Sequence, residues 1–408
     1  MSPDRRLSRA RLGILFTFAL AGALCAVWTV RMPALKQKLD LTNAQLGLEA
    51  LGWGIGALIT MLLAGRIIGR YGSRRVLRLA LPGTVACLAL VGLAPNYPLL
   101  IAAGVAFGLC FGLVDVGMNT QASTVERAYG RPLMGGMHAG WSLGAVTGGL
   151  LGAATAWLGF GFTGALCLFA LVGAPLSLML GPLYLPESTR TVASATSRRS
   201  RLPLLVYLFG ALVFGSYLAE GSIADWSGVY LHDSLGSAQV VAALGYPTFE
   251  ASMFLGRMCA DRLTTRLGAR TLIMAAGMAA AAAFALVALA PTPAIALAGF
   301  ALVGIGVCAV TPLAMSLAGA AGGAQTERAI AAAGTLGYSG LLLGPVSIGF
   351  ISAATSMRIG YAVVIGVCVA VALSARFVPR GRHIEDRGRH GDAVDRSGDP
   401  GVRREVAV

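Results

Sequence analysis

Lysine is nearly absent from this chain: Lys36 and Lys38 stand alone against many arginines, and alanine is abundant. That bias fits a GC-rich bacterial genome. Charge of any kind is scarce, at 12% of 408 residues, where a soluble domain carries about 25%. With 56% hydrophobic residues and a mean hydropathy of +0.74, the chain cannot cover itself with polar surface, so a water-soluble fold is excluded. The seven cysteines (Cys25, Cys87, Cys110, Cys167, Cys259, Cys308, Cys368) all fall in apolar runs, with no CxxC pair and no Cys/His cluster. They read as small buried apolar residues, which excludes a disulfide framework or a zinc site. No Gly-x-x-x-x-Gly-Lys-Ser/Thr loop is present, so nothing marks an ATPase. Nor is there a nucleophile with its base, or a metal set. Neither an enzyme nor a cofactor is expected.

What the chain does have is apolar runs of about twenty residues, the length that spans a bilayer. They are expected at about 12–32, 44–67, 76–94, 98–122, 132–157, 161–182, 202–229, 238–259, 271–290, 294–319, 328–354 and 359–378. Residues 1–11 form a basic tail with no small-residue cleavage site after the run that follows, so that run is kept as a first spanning helix. The net charge of +14 does not point to nucleic acid, because the arginines sit in short loops and tails. One set of loops holds Arg66, Arg70, Arg74, Arg75 and Arg78, then Arg127 and Arg131, Arg190 to Arg201, Arg262 to Arg270, and Arg328. The alternate set (Pro95 to Pro98, Gly159 to Gly161, His232-Asp233, Pro291 to Pro293) has none. Arg31, Lys36, Lys38 and Arg358 are the exceptions. This asymmetry predicts a multi-pass protein of a bacterial inner membrane with both termini in the cytoplasm.

The chain also repeats itself. Leu51-Gly52-Trp53 matches Leu244-Gly245-Tyr246, and Gly65-Arg66 matches Gly256-Arg257. Arg131, Gly140-Trp141-Ser142 and Gly152 match Arg328, Gly337-Tyr338-Ser339 and Gly349 at one constant offset. The expected fold is all-α, with twelve transmembrane helices in two pseudo-symmetric six-helix bundles, 12–182 and 202–378. A polar cytoplasmic linker at 183–201 joins them, and 379–408 is an aperiodic charged tail expected to be disordered.

Twelve helices in two homologous halves resemble the major facilitator superfamily. Gly65-Arg66-Ile67-Ile68-Gly69-Arg70-Tyr71-Gly72-Ser73-Arg74-Arg75 is similar to its Gly-x-x-x-Asp-Arg-x-Gly-Arg-Arg loop, with Gly69 in the acidic position. Gly256-Arg257, Asp261-Arg262, Arg266, Gly268 and Arg270 form a stretched second copy that keeps an acid. The resemblance implies that Gly65, Arg66, Arg70, Gly72, Arg74, Asp261 and Arg262 act in the conformational cycle. Asp115 to Gln121, Glu126-Arg127, His138 and Glu220 to Leu231 resemble a bacterial branch related to the fucose permeases. Gly140-x-x-x-Gly144-Ala145-x-x-Gly148-Gly149, repeated as Gly340-x-x-x-Gly344-Pro345, is close to a signature of drug/proton antiporters. Small residues at four-residue spacing also serve close helix packing in lipid, which explains these glycines without a substrate.

Charges within the runs are the candidates for transport chemistry, because a charge at the bilayer centre costs roughly 3 kcal/mol or more. Glu220 lies about eighteen residues, or roughly 27 Å, into its run. Asp225 follows near the expected far surface, where it reads either as a headgroup carboxylate or as a cavity group. Asp115 and Asn119 share one helix face, and His138 is expected at similar depth on the next helix, so acid and imidazole form either a proton-loading pair or a fixed gate lock. Glu250 is central in its run, and Glu49 lies near a helix start. Trp141 and Tyr338, at matching repeat positions, and Tyr217 are candidates to line a cavity. Trp226 and Tyr230 are expected as interfacial anchors.

The sequence thus predicts a monomeric secondary transporter for a small solute, with protons as coupling ion and the lipid bilayer as its surroundings. Uptake of a sugar-like solute and drug/proton efflux both remain open, and a non-transporting membrane sensor is the rival from another class.

Overall fold

The computed structural model describes residues 3–130, 133–186 and 201–379. Among them the chain is helical throughout, as a backbone in lipid must be to satisfy its own polar groups. In order the helices are α1 (Pro3–Val30), α2 (Met32–Leu39), α3 (Asn43–Tyr71), α4 (Ser73–Leu93), α5 (Tyr97–Tyr129), α6 (Met134–Trp157), α7 (Phe162–Leu180), α8 (Leu204–Val229), α9 (Gln239–Ala242), α10 (Gly245–Leu267), α11 (Ala269–Leu289), α12 (Pro293–Val307), α13 (Val310–Gly322), α14 (Thr326–Ala354) and α15 (Met357–Ser374). Among the described residues, 10 spans are long and apolar enough to cross a membrane, α12 and α13 counting as one. The 24-residue α6 and 23-residue α10 are also long enough, but glycine dilutes the first, and Glu250 and Arg257 the second. Large apolar side chains such as Leu79, Leu171 and Leu204 face outward at 73–83% exposure, which suits a surface solvated by lipid.

The helix starts and stops follow local chemistry. Thr42 and Gln45 form a capping box on α3, and Asn96, Thr292 and Ser356 cap α5, α12 and α15, each cap stabilising by about 1 kcal/mol. All four lie at the end of the bundle opposite the chain termini, here the distal end. Pro312 cannot donate to Cys308, four residues back, and the helix breaks there into α12 and α13. The signature loop is shorter than expected. A single residue, Gly72 at φ 78, separates α3 from α4, and Gly268 at φ 75 separates α10 from α11 in the repeat, a conformation that only glycine adopts without strain.

Two glycine seams build the two bundles. A methyl on Gly144 of α6 would lie 1.9 Å from the Ala19 carbonyl of α1, and one on Gly340 of α14 would lie 2.2 Å from the Phe214 carbonyl of α8. These glycines are therefore packing positions, as their spacing suggests. The linker departs from expectation at its start. Leu183 packs against Gly13, Tyr184 is buried with its hydroxyl 2.8 Å from that of Thr17, and the Leu185 backbone bonds both ways with Gln121. The rest of the linker (Arg190, Arg198, Arg199), Arg131 and the tail from residue 380 lie outside the described residues, as do the side chains of Asp261 and Arg328.

Two further expectations are corrected. Trp226 and Tyr230 are not interfacial: both are buried, and they donate to the carbonyls of Pro345 (2.9 Å) and Val287 (2.7 Å). The helix runs on past them through a wide turn to Ser234, which carries the bilayer edge beyond their positions. The exceptional cations at the distal end also find their reason. Arg31 donates to the Phe160 carbonyl. Lys38 donates to Gly92 and Ala94 at 2.8 and 2.9 Å, and Arg358 to Ala290 at 3.2 Å. Each satisfies carbonyls at or just past a helix C-terminus, where positive charge is favoured. Burial pulls the Arg31 guanidinium and the Lys38 ammonium below their ordinary values.

Candidate functional site

The two bundles meet mainly at the distal end. Asn43 donates to the Ser352 hydroxyl at 3.1 Å, Gly47 of α3 lies against Gly349 of α14, and Gly149 of α6 against Pro247 of α10. The short α2 forms an arm across the join: Lys36 pairs with Asp233, and the Gln37 amide sits 2.6 Å from Nε2 of His232 and accepts from Gln239 at 2.6 Å. Because His232 Nδ1 donates to the Ser237 carbonyl at 2.7 Å, its Nε2 is left to accept from Gln37 in the neutral ring. At the other end of α3, the positions of Gly65 and Gly69 face open space.

Behind this join, acids and aromatics of both halves converge on one interior cleft. Tyr338 of α14 donates to Asp115 of α5 at 3.3 Å across the halves, and its ring lies 5.7 Å from that of Tyr217 on α8. Asn119 donates to the Asp115 carbonyl at 2.9 Å and leans on its carboxylate at 3.5 Å. Glu250 accepts from Tyr246 at 3.0 Å through one oxygen, while its other is buried without a partner. Glu220 makes no hydrogen bond or ion pair to another described residue, but it lies within electrostatic reach of Arg257, as does Glu250. Glu220, Asp115 and Asp225 sit deep in the bundle yet each retains partial exposure, the mark of groups on a water-accessible interior wall.

Asp225 closes a cavity of about 20 Å³ whose other walls are Cys25, Trp28, Thr29, Met32, Trp53 and Phe107 of the first half. That is room for a water molecule. It lies inside the bundle, so the headgroup position does not hold. Trp53, Phe107, Phe111 and Trp141 form a continuous edge-to-face and stacked series with centroids 5.7–6.4 Å apart. His138 is not brought to Asp115: it is exposed and its ring meets Phe18 edge-on at 5.2 Å. Among the signature residues, Arg66, Arg70 and Arg262 are exposed, Arg70 lies over the Tyr71 ring at 5.4 Å, and Arg74 is half-buried with an unpartnered Nε.

Two functional candidates sit elsewhere than the sequence suggests. Arg257 reads as part of a loop repeat, because its match Arg66 is exposed, yet α10 runs on past it and carries it into the cleft. Glu49, an intramembrane acid that the sequence reads as snorkelling or capping an arginine, is fully buried with both oxygens unpartnered. The signal for each was an ionisable residue inside a long helical run.

An all-helical polytopic chain whose two halves wrap a polar interior cleft is a membrane transporter, and comparison with known proteins places it further. A profile described as Major Facilitator Superfamily matches residues 12–320 and 214–400. An uncharacterised transporter of Sinorhizobium fredii is 37% identical over 88% of this chain and 96% of its own length. An uncharacterised MFS-type transporter of Yersinia pestis is 34% identical over 89% and 94%, and membrane protein MosC of Rhizobium meliloti 31% over 93% and 92%. Among solved structures, a bacterial homologue of the lysosomal transporter Spinster superposes at TM-score 0.72 with 16% identity, covering 92% of this chain and 97% of its own. The nucleoside transporter NupG superposes at 0.68 with 15%, over 90% and 98%. The chain belongs to the major facilitator superfamily and is a transporter, not an enzyme.

Proposed function

We propose that this transporter moves a small polar solute across a bacterial inner membrane by alternating access, driven by protons, with both termini in the cytoplasm. The observation that carries this reading is the convergence of Asp115, Glu220, Asp225 and Glu250, from both halves, on one cleft closed at one end. Carboxyls in a low-dielectric wall exchange protons at a cost that depends on whether water reaches them. A two-state join that changes that access therefore couples proton and solute. A shut distal seam, held by Asn43 and Ser352 and by Gly47 against Gly349, is the arrangement expected when the cleft faces the cytoplasm. The Arg66, Arg70, Gly72 and Arg74 group and its counterpart Asp261-Arg262 act at the cytoplasmic hinge of each half. Trp141, Tyr217 and Tyr338 supply apolar faces and one phenol to the solute. The test is solute flux in proteoliposomes with an imposed pH gradient and a pH dye in the lumen, over a panel of sugars, nucleosides and amines. Solute-dependent proton movement supports the reading, its direction separating uptake from efflux. Solute accumulation that ignores the gradient, or no flux with any solute, overturns it.

A further inference from the structure

We propose that Glu49 is the residue whose protonation licenses closure of the distal end, a role that rests on the alternating cycle above. Glu49 lies on α3 about two turns from the Thr42 cap. It is 0% exposed, and neither carboxylate oxygen has a hydrogen-bond partner. The space it occupies exists because residue 104 is glycine: a methyl there would sit 3.0 Å from Oε1. Trp28 and Trp53 wall it off from the water-sized cavity, and the Trp28 indole N–H is itself buried without a partner. Across that cavity stands Asp225 of the second half.

The ionisable groups facing Glu49 are few. Asp225 comes from α8, and Tyr97 from the start of α5, where its hydroxyl donates to the Gln45 carbonyl at 3.0 Å. Among the described residues no cation lies within salt-bridge distance of it. An ionised carboxylate with no donor, no cation and no water is the costliest group to bury, so the neutral acid is the form that fits this closed state.

The same seam that buries Glu49 is the one that opens. Asn43–Ser352, Gly47 against Gly349, and the α2 arm on His232 and Asp233 all part when the halves separate distally. Water then reaches the first turns of α3, and Asp225 withdraws with its half. An open transporter therefore tolerates ionised Glu49, whereas closing requires that a proton from distal water first bond to one of its oxygens. Closure returns Asp225 to its place across the Trp28 and Trp53 wall from Glu49. Glu49 thus checks that a proton is aboard before the gate shuts.

The experiment measures the gate itself and needs no substrate. Spin labels on noncanonical side chains at the exposed positions Asp40 and Ser234, which leave the native cysteines untouched, report the distal distance in lipid nanodiscs. Between about pH 5 and about pH 8 the wild-type open-to-closed ratio should rise by up to about tenfold per pH unit, the limit for one linked proton. Glu49→Gln, whose amide mimics the neutral acid and cannot ionise, should stay closed at both values, and Glu49→Asp should regain the response. His232→Gln should keep it, because the arm histidine is not the sensor. A wild-type distance that ignores pH, or a Glu49→Gln protein that still opens as pH rises, overturns the proposal. Should Glu49→Gln fail to fold, infrared spectra of wild type and Glu49→Asp at low pH decide. The carboxylic C=O band must move with the substitution, and a band that does not move also overturns the proposal. If distal opening follows pH through Glu49 while no solute drives proton flux, only the transport reading fails.

Discussion

Tyr338 donates to Asp115 at 3.3 Å from the opposite half of the molecule, and it does so from the repeat position that Trp141 occupies in the first half. At that length the bond contributes about 1 kcal/mol at most, too little to hold the halves together and well suited to being broken in every cycle.

Tyr338→Phe should leave folded yield unchanged and weaken transport several-fold at most. Asp115→Asn, which keeps the shape and removes the charge, should abolish proton-driven transport while expressing normally. Size-exclusion profiles and labelled-solute uptake in the same membranes give both readouts. Normal transport by Asp115→Asn would make the pair a structural tie alone.

Glu220 has no hydrogen-bond partner among the described residues and only Arg257 within reach as a cation, so its charge state is set by access of water to the cleft. Glu220→Gln should therefore lose uphill accumulation yet still exchange labelled solute across the membrane. Weakened affinity with gradient coupling intact would instead place this side chain on the solute.

The Lys36–Asp233 pair is exposed, and such pairs contribute about 0–1 kcal/mol. Lys36→Met should leave the melting temperature within a degree or two, since its effect on the fold is small. It should, however, raise the rate at which an impermeant maleimide added from the distal side reaches Cys25, a native thiol on the cavity wall. An unchanged rate would mean that the α2 arm does not gate this path.

The glycines separate by what surrounds them. Gly144→Ala and Gly340→Ala drive a methyl into the facing backbone carbonyls and should cost about 1–3 kcal/mol each, seen as lower folded yield and melting temperature. Gly65→Ala, with nothing within 4 Å, should be neutral or stabilise by up to about 1 kcal/mol. Equal losses at all three positions would refute the packing account.

Reporter fusions near Ala195 and after residue 380 should both report cytoplasm. A periplasmic signal from either overturns the orientation read from arginine.

Much of this architecture was legible because lipid leaves the chain so few options. Apolar run length placed ten of the spanning helices. The repeat correctly paired Gly140 with Gly337, which occupy equivalent seams. What escaped depends on tertiary partners. The break at Cys308 needs Pro312 to be read as a helix interior. The arm at α2 looks like loop, because its eight residues contain two lysines and a proline. Trp226 looks like an anchor until the helix is seen to continue to Ser234. His138 was placed by depth alone, but depth does not fix azimuth, and the ring points at Phe18 instead of Asp115. Glu49 and Arg257 were legible as ionisable residues but not as buried or cleft-facing, since burial belongs to neighbours far away in the sequence.

The distal arm crosses the join with an ion pair and amides instead of apolar side chains, and that choice ties the closed state to the medium at the distal end. At physiological ionic strength the screening length is about 8 Å, and it falls to about 3 Å in molar salt. A cell moved from fresh water to brine would therefore find this gate looser with no change in solute or pH. Salinity would bias how often the closed distal seam parts.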